Sequence, residues 1–282
     1  MNSPLLTALL LVFTLCTQPP SHAQFIALFD DFSTAGDLVG TSADSGDVRW
    51  AAVQGAGGPT VSNGALNIDA ASGDVAQLNF SDTNITAGTI YLGFNFTVSS
   101  AGSLNVSETI SAFTGFRTGT PSSGSVVLGF GTFRPNGNAQ AGSSLSSTST
   151  SQVYAGIFAG VTHNAHSAPL AAWTTPLDRG TDYRAVIGFD LSNDLAHLWI
   201  DPSSSDSPSI TLTGLTGSPR GIFVREGAAS HGAILFDNLS VSLDFNTAAG
   251  LAAVPEPSTC AVIFGALSLV GAILYQRRRK HT

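Results

Sequence analysis

Thr89-Ile90-Tyr91-Leu92-Gly93-Phe94-Asn95-Phe96-Thr97-Val98 decides the fold. Ile90, Leu92, Phe94, Phe96 and Val98 alternate with Thr, Tyr, Gly, Asn and Thr. A period of two puts all five apolar side chains on one face of a strand, whereas a helix would scatter them around its axis. The same alternation runs through residues 64–69, 125–133, 153–161, 183–189, 195–201, 209–215, 221–225 and 233–245. Asn-Gly, Gly-Gly, Asp-Pro and Ser-Pro pairs separate these runs and supply turns. No amphipathic helix stands out. Short strands at close intervals, joined by Gly- and Ser-rich turns, predict an all-β chain built as an antiparallel jelly-roll sandwich. The Ser/Thr-rich stretch 141–151 reads as a loop between strands, because strand patterning resumes directly after it.

Composition bounds what such a sandwich can bind. Residues 24–253 hold seven Arg, no Lys and eighteen acidic residues, a formal charge of −11 against −8 for the whole chain. That surface excludes nucleic acid, which needs cationic contacts to phosphates. Both cysteines, Cys16 and Cys260, fall outside this stretch, so it carries no disulfide. A core of this size does not need one.

The two ends read differently. Leu5 to Leu15 is an apolar run of signal-peptide length. Gln18-Pro19-Pro20 then breaks any helix, and Ser21-His22-Ala23 offers small residues to signal peptidase. Residues 1–23 are therefore expected to be removed, leaving a mature chain that begins at Gln24. At the other end stands Val254-Pro255-Glu256-Pro257, followed by an apolar run from Cys260 to Tyr275 and by Arg277-Arg278-Arg279-Lys280. Ser258 to Gln276 contains no charge over about 19 residues, which as a helix nearly spans a bilayer core of ~30 Å. The basic cluster should stay cytoplasmic as a membrane stop.

This order of motif, transmembrane helix and basic tail closely resembles the PEP-CTERM sorting signal of Gram-negative bacteria. The resemblance covers residues 254–282. It implies that a membrane-embedded exosortase recognises Pro255, Glu256 and Pro257 and processes the tail. It also implies a host that makes extracellular polysaccharide. The precursor would be anchored in the inner membrane and the product delivered to the cell surface or matrix. Residues 246–253 read as a linker, and residues 24–245 as the exported domain.

That domain resembles the concanavalin A-like, laminin G-like jelly rolls found upstream of this tail. The features are Phe29-Asp30-Asp31-Phe32, Ser62-Asn63-Gly64-Ala65-Leu66, Ala155-Gly156-Ile157-Phe158, Leu198-Trp199-Ile200-Asp201 and Phe236-Asp237-Asn238-Leu239. The resemblance implies that the chain ends pair as neighbouring strands and that Phe245 closes the sandwich. It also implies one candidate structural Ca²⁺, at Asp31 and Asp237 with a carbonyl near Gly64. The competing reading makes these carboxylates turn formers at strand ends.

Catalysis finds little footing. Glycosidases on this fold usually carry Glu-x-Asp-x-x-Glu on one strand, whereas residues 24–253 contain only Glu108 and Glu226, far apart. The chain is therefore not expected to be an enzyme. His163 and His166 lie in a Gly/Ser/Asn loop without further ligands at metal spacing. Sugar binding would need an exposed aromatic, and Trp173 in Ala-Ala-Trp-Thr-Thr-Pro, with Tyr154 behind it, is the candidate. For both, a packing role competes. Trp199 can be assigned to neither face of its strand. The reading is an exported structural or adhesive protein of an exopolysaccharide matrix. The alternative is a lectin-like carbohydrate-binding module, and a glycoside hydrolase is a weaker third.

Overall fold

The computed structural model describes residues 27–45, 48–54, 58–68, 73–101, 113–118, 126–134, 145, 150–159, 169–226 and 233–251. The expected signal peptide, sorting motif, membrane segment and basic tail lie outside the described residues. Among the described residues no helix is long and apolar enough to cross a membrane. In chain order the first strands are β1 (Leu28–Asp30), β2 (Gly36–Asp37), β3 (Ala51–Gln54), β4 (Thr60–Ser62), β5 (Ala65–Ile68), β6 (Val75–Asn79), β7 (Thr89–Val98), β8 (Thr114–Arg117) and β9 (Val126–Phe133). Then come β10 (Gln152–Ala159), β11 (Ala171–Ala172), β12 (Leu177–Asp178), β13 (Asp182–Asp190), β14 (Leu195–Ile200), β15 (Ile210–Thr213), β16 (Gly221–Arg225), β17 (Ile234–Ser242) and a short helix α1 (Phe245–Ala248).

The strands form two antiparallel sheets. The first runs β15-β14-β13-β7-β17-β5-β4-β2, with β1 also paired to β17; the second runs β11-β10-β9-β8-β16-β6-β3, with β12 on β10. Strand β7 behaves as its alternation requires. Ile90, Leu92, Phe94, Phe96 and Val98 are all buried in the main core. They meet Phe113, Phe116, Leu128 and Phe130 from the second sheet in the same apolar cluster. Phe94 stacks on Phe236 at 4.8 Å and meets Phe130 edge-on at 5.1 Å, while Phe96 reaches Phe130 at 5.2 Å. These rings join the layers, so the architecture is a β-sandwich. Burying each side chain of this kind contributes roughly 1.5–3 kcal/mol.

The chain ends meet on β17. Its far edge is shared: Ile234 to Phe236 pair with β5, and Leu239 to Val241 pair with β1. The switch falls at a bulge between Asp237 and Ser240, where Asn238 takes φ 50°. Asn tolerates this left-handed backbone better than most residues, which suits it to a position where a strand changes partner.

The region expected to be a linker departs from that expectation. Asp244 caps α1, accepting from the Thr247 backbone N–H at 2.7 Å and from the Thr247 hydroxyl at 2.9 Å. Gly250, at φ 70°, ends the helix by donating to the Thr247 carbonyl, and Leu251 N–H returns to Asn246 at 2.7 Å. Ala248 and Ala249 are buried. Phe245 does not close the sandwich interior. It packs on the outer face of the first sheet, 4.9 Å from the Trp199 ring and 5.6 Å from Tyr91. Trp199 is thereby assigned to the outer face, 5% exposed beneath the helix. Gly93 makes this docking possible, because a Cβ there would stand 1.7 Å from the Ala248 carbonyl oxygen.

Candidate functional site

The bulge in β17 opens a cleft. Its volume is about 660 Å³, and Leu28, Phe29, Ser45, Asn95, Arg184, Asn238, Ser240, Thr247 and Gly250 contribute to its walls. β7 supplies Asn95 and β13 supplies Arg184, at directly paired positions. β17 supplies Asn238 and Ser240, β1 supplies Phe29, and α1 supplies Thr247. All of these project from the outer face of the first sheet or its margin.

Arg184 organises the cleft floor. Its Nη1 donates to Asn95 Oδ1 at 3.1 Å and to the Asn238 carbonyl at 2.6 Å. Nη2 donates to the Ala248 carbonyl. One guanidinium thus ties a strand, a bulge and a helix end together. Burial pulls its pKa down to about 10, with Asp237 pulling the other way. Its Nε is sealed from solvent without a partner. The rim is left with hydrogen-bonding capacity. Asn95 has its oxygen engaged, which leaves its amide N–H groups as donors on the cleft wall. Asn238 donates to Asp237 Oδ2 at 3.0 Å and keeps its own oxygen. Phe29 is 42% exposed, an apolar plate beside these polar groups.

A second cluster lies at the corner where β1 ends. Asp30, Asp31 and Asp44 place carboxylate oxygens within 4.8 Å of one another. Asp30 is buried and accepts from Trp50 Nε1 at 2.7 Å and from Phe32 N–H at 2.9 Å. Asp31 accepts from Ser33 N–H at 2.9 Å, and Asp44 accepts from Asp31 N–H at 2.7 Å. The space at this corner is about 10 Å³, about the room for one water and far too little for a sugar ring. Calcium takes about six to eight oxygens, and here three carboxylates are already engaged with backbone and indole donors. The corner is built as a hydrogen-bonded turn. Asp237, the other expected ligand, is not part of this cluster. It accepts from the backbone and side-chain amides of Asn238.

The carboxylates give the fold an acid response. Burial raises the pKa of Asp30 and of Asp237 above 3.8, while hydrogen bonds from Ser33 and Asn193 lower those of Asp31 and Asp190. A raised carboxylate is protonated in the folded state first, so its contribution to stability grows as pH falls from neutral through the folded value. A lowered one contributes above 3.8 and is lost as pH falls through its folded value. Melting temperature should therefore rise on mild acidification and fall below 3.8. Thermal melts of Asp30→Asn should show a flatter rise than wild type. Equal slopes would remove Asp30 as a cause.

The aromatic pair expected to stack on a sugar is not brought together. Tyr154 is buried on the outer face of the second sheet, 6.0 Å from the Phe133 ring. Trp173 donates its backbone N–H to Ala155 at 2.8 Å, which continues the β10–β11 ladder and turns its half-buried side chain toward the main core. The two residues occupy opposite faces, and neither presents a platform. Val254, Pro255, Glu256, Pro257, Arg277, Arg278, Arg279 and Lys280 lie outside the described residues, as do His163 and His166. The cleft residues Asn95 and Arg184 carry no motif that marks them in the sequence, and Phe29 and Asn238 fall within stretches read only for the fold. Asp237-Asn238 inside an apolar alternation is the one local signal of a bulge.

No family model and no curated protein matches this chain. Solved structures with some likeness include a Trypanosoma rangeli sialidase, at TM-score 0.45 and 11% identity, covering 82% of this chain and 32% of the sialidase. The carbohydrate recognition domain of Emp47p aligns at TM-score 0.40 and 9% identity, over 79% of this chain and 98% of that domain. The botulinum neurotoxin serotype D binding domain aligns at TM-score 0.40 and 9% identity, over 77% and 47%. The chain spans about a third of the length of the sialidases it matches. Similarity this low carries no functional weight.

Proposed function

We propose that this chain is an exported surface protein, sorted by an exosortase through Pro255-Glu256-Pro257, whose sandwich adheres to extracellular polysaccharide at the β1–β17 cleft. The cleft carries this reading. Its volume of about 660 Å³ suits a sugar unit or two, and it sets an exposed Phe29 ring beside amides, hydroxyls and a backbone-clamped guanidinium. Sugars need that mixture, with an apolar plate for the C–H face and fixed donors and acceptors for the hydroxyls. The reading is adhesion rather than hydrolysis, because the clustered carboxylates sit at a corner with no room for a sugar.

The test is glycan binding by the full-length chain in detergent, against an array that includes the host's own exopolysaccharide. Phe29→Ala should weaken binding at least ~10-fold, the loss of one well-buried stacking contact, while leaving the melting temperature nearly unchanged because the ring is half exposed. No binding by a folded wild-type protein would leave a passive matrix component. For sorting, Glu256→Ala should leave an unprocessed, membrane-associated precursor on immunoblots of fractionated cells. Unchanged processing would remove the exosortase from the account.

A further inference from the structure

One edge of the sandwich is left open. Strand β15 ends the first sheet and, among the described residues, pairs only with β14. It is four residues long, Ile210-Thr211-Leu212-Thr213, and its register carries no bulge. The other described edges are blunted. β2, β11 and β12 are two residues each. β3 is bulged between Ala52 and Gln54. On β1, the Phe29 N–H donates to the Ser45 hydroxyl at 2.7 Å and the Phe29 carbonyl accepts from the Ser45 N–H at 3.3 Å. Proteins shorten, bulge or cover strand edges in these ways to stop them pairing with another chain, and a flat, uncharged edge invites such pairing. Residues 207–217 contain no charged side chain, in a domain whose formal charge is −11.

The two faces of β15 are set. Ile210 and Leu212 pack, half-buried, against the main core. Thr211 and Thr213 are exposed on the outer face, where Thr211 Oγ1 meets His197 Nδ1 at 3.1 Å. β11 closes the second sheet on the same flank, and Leu170 just before it adds apolar surface there, 51% exposed. The edge is complementary to itself. About a two-fold axis through Thr211, an antiparallel copy sets Ile210 opposite Leu212 on the core side, Leu212 opposite Ile210, and Thr211 opposite Thr211 outside. A shift of one residue would set core-side residues opposite outer ones, so the register is specified. We propose that the chain forms a two-fold dimer by antiparallel pairing of β15 with β15 of a second copy. An uncharged edge gives a cationic peptide no partner, while it is the part of an acidic domain at which two copies can approach. The axis stands perpendicular to the sheet, so both β1–β17 clefts open on the same side and can engage one polymer together. The dimer itself does not depend on what the clefts bind.

The test is sedimentation velocity of the full-length chain in detergent across a dilution series. Wild type should sediment as a dimer that dissociates on dilution. Thr211→Lys and Thr211→Glu each set like charges opposite one another at the axis, and each should raise the dimer dissociation constant at least ~10-fold. At high dilution both should keep the far-UV circular dichroism and melting temperature of wild type, because Thr211 is exposed. Mixed in equal parts, the two variants should recover the dimer, since Lys then faces Glu across the axis. That recovery reads the register directly, and a folding fault in either variant could not produce it. A wild-type chain that is monomeric at every concentration overturns the proposal and leaves the edge to a strand of another protein. A dimer that persists unchanged in both variants overturns it too, and places association elsewhere in the chain. Dissociation in both variants without recovery on mixing overturns the pairing through Thr211.

Discussion

Phe94→Ala is expected to lower the melting temperature by roughly 10 °C or more. Phe94 is fully buried, and its ring meets Phe96 and Phe236 in its own sheet and Phe113 and Phe130 in the other. The contacts cross the whole sandwich. Truncation removes a ring held on several sides, and the surrounding phenyl groups cannot all collapse into the gap without leaving their rotamers. Phe→Ala changes in such settings cost about 3–5 kcal/mol. Phe94→Leu keeps most of the volume and should recover more than half of the loss. Chemical denaturation followed by tryptophan fluorescence would measure both. An Ala variant within about 1 kcal/mol of wild type would mean that the two sheets are not joined through this ring.

The strands around Phe94 are legible in the sequence because one face of the first sheet is core and the other is not. Ile90, Leu92, Phe94, Phe96 and Val98 therefore alternate in sequence with residues that are mostly less buried. Two strands of the second sheet hide from the same reasoning. β6 and β8 are buried on both faces, and their sequences place Gln77 and Arg117 among apolar residues, so no period of two announces them. Trp173 is left between packing and sugar stacking for a related reason. Its neighbours look like a loop, and only the pairing with Ala155 reveals which way the side chain turns. The cleft cannot be read locally at all. Asn95, Arg184 and Asn238 are scattered along the chain, and it is register that brings them together. The helix after β17 is within reach, since Asp244-Phe245-Asn246-Thr247 places a capping Asp three residues before the Thr it holds. The Pro-Glu-Pro motif downstream draws that stretch into the linker instead.

Arg184→Ala should undo the helix and the cleft together. The guanidinium serves three acceptors from three elements: Asn95 Oδ1 on β7, the Asn238 carbonyl at the bulge and the Ala248 carbonyl at the end of α1. Removing it leaves those acceptors with no donor in a partly closed site. Losing hydrogen bonds to a charged group while exposing their partners to unmet desolvation costs roughly 3 kcal/mol. For a domain of this size that corresponds to a drop of about 6–12 °C. The loss should be local before it is global. α1 is only four residues long and is held by its Asp244 cap, by Phe245 on Trp199 and by Arg184. Without the last of these, Phe245 should lift from Trp199. The indole would then gain solvent, and its emission should shift to longer wavelength below the main melting transition. Arg184→Lys should rescue little, because an ammonium on a flexible stem cannot reach a strand amide, a bulge carbonyl and a helix carbonyl at once. Hydrogen exchange at residues 245–251 would report the same event at single-residue level. If those amides and the Trp199 emission stay as in wild type while the melting temperature falls, the helix is held by Phe245 and the Asp244 cap, and the guanidinium matters only to the bulge.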